Sequence, residues 1–162
     1  MSKLRTTRHD LPEKARRALV DLLNARLADT IDLALAFKQA HWNIRGAHFI
    51  ALHELFGRMA GSITGGSDEL AERAKALGGQ ALFSLHAAAK QASQKAYPVD
   101  ATSAAEHLGA LIDRTSEFAK KCRAAVDASV ELGDSGTSDL FTALSRSADQ
   151  HLWFLEAQSD PA

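Results

Sequence analysis

The sequence predicts an all-α protein: a bundle of four long helices, with a short extra helix in the connection between the second and third. Three observations carry that expectation. Proline occurs only at Pro12, Pro98 and Pro161, which leaves two long stretches free of the residue that stops a helix. Apolar residues recur at i, i+3 and i+4 along both stretches, while strand-type alternation is scarce. Alanine is abundant and only 6% of the 162 residues are aromatic, a composition that favours helix over sheet.

The first helix is expected to start at Pro12, whose fixed φ suits the first helical position, with Asp10 or Leu11 just outside. Leu19, Leu22, Leu23, Leu27, Ile31, Leu35 and Phe37 carry an apolar stripe to about Trp42, and Asn43-Ile44-Arg45-Gly46 breaks it. The second helix runs from about Phe49 through Ile50, Leu52, Leu55, Phe56, Ile63, Leu70 and Leu77, stopped by Gly78-Gly79. A short helical piece over 82–91 leads to the break at Tyr97-Pro98. The third helix spans about Ser103–Leu132, on Leu108, Leu111, Ile112, Phe118, Ala125 and Val126. Gly133-Asp134-Ser135-Gly136 reads as a turn. The fourth helix covers about Ser138–Ala157, with Leu140, Phe141, Leu144, Leu152, Trp153 and Leu155. Four amphipathic helices with one longer connection describe a four-helix bundle.

Residues 1–10 read as a flexible basic tail, 11–158 as the bundle and 159–162 as a short C-terminal tail. A net charge of −1 argues against a whole-surface nucleic-acid binder. Cys122 is the sole cysteine, so no intrachain disulfide forms and the reducing cytoplasm is the expected compartment. There is no apolar run of about 18 residues, so no membrane span is expected, and Met1–Asp10 is polar and basic rather than a signal segment.

The chemistry-bearing residues fall on the first two helices. His41 closes the first and His53 lies in the second. Asp68 and Glu72, four apart, project from one face of the second helix. Taken singly, an acidic i, i+4 pair is also what a solvated helix face looks like, and His53 is also what a hydrogen-bonded core histidine looks like. Together, histidines and helical carboxylates in a bundle are a ligand set suited to iron. At about 1.5 Å rise per residue, His53 and Asp68 are separated by roughly 22 Å. They cannot hold the same ion within one chain. A shared site requires two chains, with His41 and His53 from one and Asp68 and Glu72 from a two-fold mate. His9, His48, His86, His107 and His151 have no partner at ligand spacing and read as surface or interface residues. Cys122 reads as a small apolar packer.

Lys38-Gln39-Ala40-His41-Trp42-Asn43-Ile44-Arg45-Gly46, Phe49-Ile50-Ala51-Leu52-His53-Glu54-Leu55-Phe56 and Asp68-Glu69-Leu70-Ala71-Glu72-Arg73 resemble, in order and spacing, the signature of the Dps family, the DNA-binding proteins from starved cells. Ala96-Tyr97-Pro98 and Leu152-Trp153-Phe154-Leu155-Glu156-Ala157 agree with it in place, so the resemblance runs from about Asp10 to Ala157. It implies a ferritin-like bundle assembled as a hollow dodecamer. Such a shell oxidises Fe(II), preferentially with hydrogen peroxide and more slowly with oxygen, stores the Fe(III) mineral and in many members binds DNA. It implies a ferroxidase centre between two-fold-related chains. His41 is then a ligand of the first iron, with Asp68 and Glu72 from the neighbour and Glu72 as a bridge, and His53 serves the second iron. Trp42 falls at a family position linked to quenching or relaying oxidising equivalents. Acidic residues near the fourth helix line a three-fold channel in this family, which points to Asp139 first and to Asp134 and Asp149 beside it. Lys3, Arg5 and Arg8 put +3 ahead of Asp10, enough in many copies for salt-sensitive DNA contact.

One position departs from the family. Four residues after the second histidine, where an Asp is usual, stands Gly57. Glycine offers no ligand, so the second iron is expected to be weakly held and fast pairwise oxidation is put in doubt. Gly57, Gly61, Gly65 and Gly66 also crowd a helix interior, each at a cost of roughly 1 kcal/mol relative to alanine. The segment either admits a closely packed helix or loosens. Two rivals to the iron-storing reading follow: a DNA-condensing shell with an impaired site, and a cage holding Zn(II) at His41, Asp68 and Glu72 without turnover.

Overall fold

The computed structural model describes residues 4–159. Its helices are α1 (Glu13–Asn43), α2 (Phe49–Ala76), α3 (Leu85–Gln91), α4 (Ala104–Glu131) and α5 (Ser135–Ser159). The described residues contain no strand, and the expected bundle with its short extra helix is the observed fold. α1 packs on α2 and α4 on α5, and the long α2–α4 connection brings α4 against α1 and α5 against α2. None of these helices is long and apolar enough to cross a membrane.

The buried face of α1 follows Leu19, Leu23, Leu27, Leu33, Phe37 and Ala40, a 3.6-residue stripe. Leu35 falls off that stripe and is exposed, as are Trp42, Ile50, Leu85 and Trp153. Pro12 proves to be the residue before the helix rather than its first member, with α1 opening at Glu13. α2 is one uninterrupted helix through all four glycines. A Cβ at Gly66 would come within 2.7 Å of Leu144 Cδ2, so that glycine lets α5 approach, whereas Gly61 and Gly65 meet nothing within the chain.

α2 and α4 end alike. Gly78, at φ +86°, follows Leu77, and its N–H donates to Lys75 O while the Gly79 N–H donates to Ala74 O, the 5→2 and 6→1 pair of a left-handed glycine cap. Gly133 at φ +79° repeats it, with Gly133 N–H to Val130 O and Asp134 N–H to Ser129 O. The chain then turns at once: the Asp134 carboxylate accepts the Thr137 N–H at 3.1 Å. α5 therefore starts at Ser135, three residues ahead of the expected Ser138, because Asp134 caps it.

The connection over 77–103 has little regular structure and is held by polar side chains of α1. Asn24 donates to Gln80 O at 2.9 Å and accepts the Leu82 N–H at 2.8 Å. Asp29, fully buried, accepts from the Ser93 N–H at 2.8 Å and its hydroxyl at 2.9 Å, and pairs with Arg26 at 2.7 Å. Arg114 on α4 pairs with Asp32 and donates to Lys95 O. Residues 4–10, read as a free tail, lie along the bundle end: the Arg5 N–H donates to Gly78 O at 2.8 Å and its guanidinium to Lys75 O at 3.3 Å. Lys3 and residues 160–162 lie outside the described residues.

Two histidines read as surface residues are buried, His107 at 0% and His151 at 7% exposure. His107 is hydrogen-bonded to the Tyr97 hydroxyl at 2.6 Å. His151 sits beside the Phe37 ring, and burial lowers its pKa, which keeps it neutral. Cys122 is fully buried, and burial pushes its thiol up to about 12, so it packs rather than reacts. Truncation of Asn24→Ala strands the Gln80 carbonyl and the Leu82 N–H. A loss of about 2 kcal/mol is expected, read as a lower urea midpoint with unchanged m value.

Candidate metal centre

Helix α1 ends at Asn43 and its last carbonyls have no intrahelical partner. The His41 carbonyl is satisfied across the hairpin, by His53 Nδ1 of α2 at 2.7 Å. The bond is returned: His41 Nδ1 lies 2.6 Å from the His53 carbonyl oxygen. The two rings stack with centroids 3.7 Å apart and planes 23° apart, and Phe49 lies 5.1 Å from His53. A carbonyl only accepts, so each Nδ1 carries a proton, and the neutral tautomer compatible with these bonds has its lone pair on Nε2. This is the tautomer a metal needs, held by the second ring nitrogen before any metal arrives.

The stack also decides how many ions the pair serves. An imidazole lone pair lies in the ring plane and metal–nitrogen bonds are about 2.1 Å long. Two planes only 23° apart at 3.7 Å separation cannot meet at one ion so close to both rings. His41 and His53 therefore cannot serve one ion together.

Gly57 is part of this arrangement. A Cβ there would sit 3.1 Å from both Cε1 and Nδ1 of His41, close enough that the ring would have to give by a few tenths of an ångström. Nothing in the spacing of the sequence signals that contact. Trp42, next in the chain, is exposed, with Lys38 Nζ 5.3 Å above its ring.

Asp68 and Glu72 are exposed on α2, fifteen and nineteen residues beyond His53. Among the described residues no three His, Cys, Asp or Glu side chains come together to hold an ion. The histidine pair at the α1–α2 hairpin and the carboxylate pair further along α2 therefore stay apart within the chain. A cleft of about 450 Å³ between the 94–101 segment and α4 contains none of these four residues.

The three aspartates considered for a channel differ in setting. Asp134 is buried and held by Arg73 at 2.7 Å and by Thr137, so within the chain it is a cap and ion-pair member. Asp149 is exposed and pairs with Arg123 at 2.9 Å. Asp139 is exposed on α5.

The ferritin-like domain family matches residues 20–160. A "DNA protection during starvation protein" of Agrobacterium fabrum is 48% identical over 155 residues, 96% of each chain. A protein of the same description from Brevibacillus brevis is 32% identical, over 84% of this chain and 91% of its own. Among solved structures, DpsC from Streptomyces coelicolor superposes with a TM-score of 0.95 at 28% identity, covering 99% of this chain and 94% of its own. A Mycobacterium smegmatis Dps gives 0.92 at 28%, covering 97% and 96%.

Two measurements check the geometry. The His41 proton is held by the backbone of residue 53, not by its side chain. In His53→Ala one of the two hydrogen-bonded imidazole N–H resonances should vanish from the proton NMR spectrum and the other persist; loss of both would mean that stacking alone holds His41. For Asp134, burial would raise the carboxyl pKa, but the hydrogen bonds from Arg73 and Thr137 and the Arg73 charge outweigh it and hold it below the ordinary 3.8. Its folded-state value is depressed, so its stabilisation is present above about pH 4 and is lost as pH falls through the folded value. Asp134→Asn should be less stable than the native chain at neutral pH, with the gap narrowing in acid-titrated urea unfolding.

Proposed function

Because this chain belongs to the Dps family of ferritin-like proteins, we propose that it takes Fe(II) as substrate. It oxidises the metal with hydrogen peroxide, or more slowly with oxygen, and keeps the Fe(III) product inside a hollow dodecamer, so that DNA is spared oxidative damage. The observation that carries this reading is the reciprocal His41–His53 pair, whose Nδ1 protons are committed to carbonyls and whose Nε2 lone pairs are left for metal.

The centre is completed by a second copy of the chain. His41 Nε2 with Asp68 and Glu72 of the two-fold mate gives one nitrogen and two carboxylates, a set that suits Fe(II) and leaves positions open for oxidant. His53 Nε2 addresses the second ion, with Glu72 available to bridge. Exposed Leu35, Trp42 and Ile50 flank the histidines with apolar surface that a mate would cover. Consuming iron and peroxide together removes both reagents that generate hydroxyl radical. Asp139 is the exposed aspartate of α5 best suited to draw cations toward a three-fold channel.

A second reading is favoured by Gly57. With no carboxylate at that position, the second ion has His53 as its one ligand from that helix, and the protein becomes a metal-binding shell, for Fe(II) or Zn(II), with slow turnover. DNA contact through the N-terminal segment is weakened by the docking of Arg5, which leaves Arg8 and Lys3 to carry it.

Stopped-flow oxidation of Fe(II) by peroxide separates the readings. Glu72→Gln should abolish most oxidation while the particle still runs at twelve times 17.4 kDa; unchanged oxidation would remove Glu72 from the ligand set. Fast native turnover with little gain in Gly57→Asp supports the ferroxidase. A slow native protein accelerated by the aspartate supports the impaired shell.

A further inference from the structure

The chain has one tyrosine, in the Ala96-Tyr97-Pro98 segment that the metal centre does not use. Its hydroxyl lies 2.6 Å from His107 Nδ1, with the two rings only 13° from parallel. His107 is wholly buried, and its Nε2 makes no direct hydrogen bond, although the backbone of Asn43 lies near enough to favour a proton on the ring. With that proton on Nε2, Nδ1 is the acceptor and the tyrosine hydroxyl donates. Asn43 is the last residue of α1, next to Trp42 and two from His41, and Gln39 of the same helix donates to Val99 O at 3.5 Å, so the Tyr97 segment lies beside the end of α1.

We propose that Tyr97 is a one-electron donor to the oxidising site, with His107 as the acceptor of its phenolic proton; this rests on the iron-oxidising reading above. The need for such a donor follows from Gly57. Hydrogen peroxide requires two electrons and two protons to become two waters. A site that holds both irons supplies both electrons, but a site with a weakly held second iron often meets peroxide with a single Fe(II). That Fe(II) gives one electron and becomes Fe(III). Tyr97 gives the other and becomes a neutral phenoxyl radical as its proton moves to His107 Nδ1, while solvent supplies the two protons of the waters. The next Fe(II) to arrive returns an electron to the radical and is itself oxidised to Fe(III), and His107 hands the proton back. Without the donor, the same encounter releases hydroxyl radical.

The surroundings suit this role. Burial is the main cause that pushes the Tyr97 hydroxyl up to about 12, so it does not ionise to phenolate beforehand and its electron and proton leave together. Burial also lowers the His107 pKa, which leaves the imidazole neutral and free to accept. Arg114 lies near Tyr97 and Glu106 near His107.

Two experiments test the proposal, one of them independent of iron. In metal-free protein, flash photolysis with a ruthenium tris-bipyridine sensitiser and persulfate should generate a tyrosyl radical by electron paramagnetic resonance. The radical should be absent in Tyr97→Phe. In His107→Leu it should form about a hundredfold more slowly, the usual worth of a positioned proton acceptor. Should His107→Leu fail to fold by circular dichroism, slower formation in D₂O for the native chain tests the same proton transfer. Equal rates with and without His107, or in H₂O and D₂O, would overturn the proposal. In the second experiment, native protein with sub-stoichiometric Fe(II) and peroxide is freeze-quenched. A tyrosyl signal is expected, and Tyr97→Phe should lack it and give more hydroxyl adduct to a spin trap. Iron oxidised without a tyrosyl signal overturns the proposal and leaves the ferroxidase standing; no iron oxidation in the native protein overturns the ferroxidase reading itself.

Discussion

Two imidazole protons, each given to the other histidine's carbonyl, are the constraint on which the chemistry of this chain depends. The exchange between His41 and His53 satisfies a carbonyl that the end of α1 would otherwise leave open, ties the first turn of α2 to the last turn of α1, and sets the tautomer of both rings. One interaction thus serves the fold and the site. Because the rings are nearly parallel, they cannot share an ion, and the same packing that closes the hairpin imposes that limit.

The second constraint is the continuity of α2. Four glycines in a helix interior cost several kcal/mol of propensity, yet the helix runs unbroken from Phe49 to Ala76. Tertiary packing outweighs that cost at two of the four: Gly57 lies close against the His41 ring and Gly66 gives its space to Leu144. Nothing within the chain explains Gly61 and Gly65. An unbroken α2 keeps the carboxylate pair fifteen or more residues along the helix from His53, so the two pairs do not meet within the chain.

The rest of the molecule holds these two helices in place. α1 carries its apolar stripe on one face and Asn24, Asp29 and Asp32 beside it; Asn24 and Asp29 hold the irregular α2–α4 connection by its backbone, and Asp32 pairs with Arg114, which donates to Lys95 O. Buried polar groups such as Asn24 and Asp29 specify one arrangement, because leaving their hydrogen bonds unmade in the interior is costly. The connection in turn brings Tyr97 to His107 and runs beside the end of α1.

The sequence by itself determined the helix count, the stops at Gly78 and Gly133, and the candidate ligands, because helical periodicity, left-handed glycine caps and the order of the motifs are all local properties of a chain. It also determined that His53 and Asp68 cannot share an ion, which needs only the rise of a helix. The tertiary structure alone decided what each polar residue does. Asp134 is paired with Arg73, 61 residues away, a contact that no local spacing announces. His107 and His151 carry no local mark of burial. The close neighbour of Gly57 is a ring sixteen residues back on another helix. Contacts between helices depend on which faces meet, and no spacing along a single helix records that.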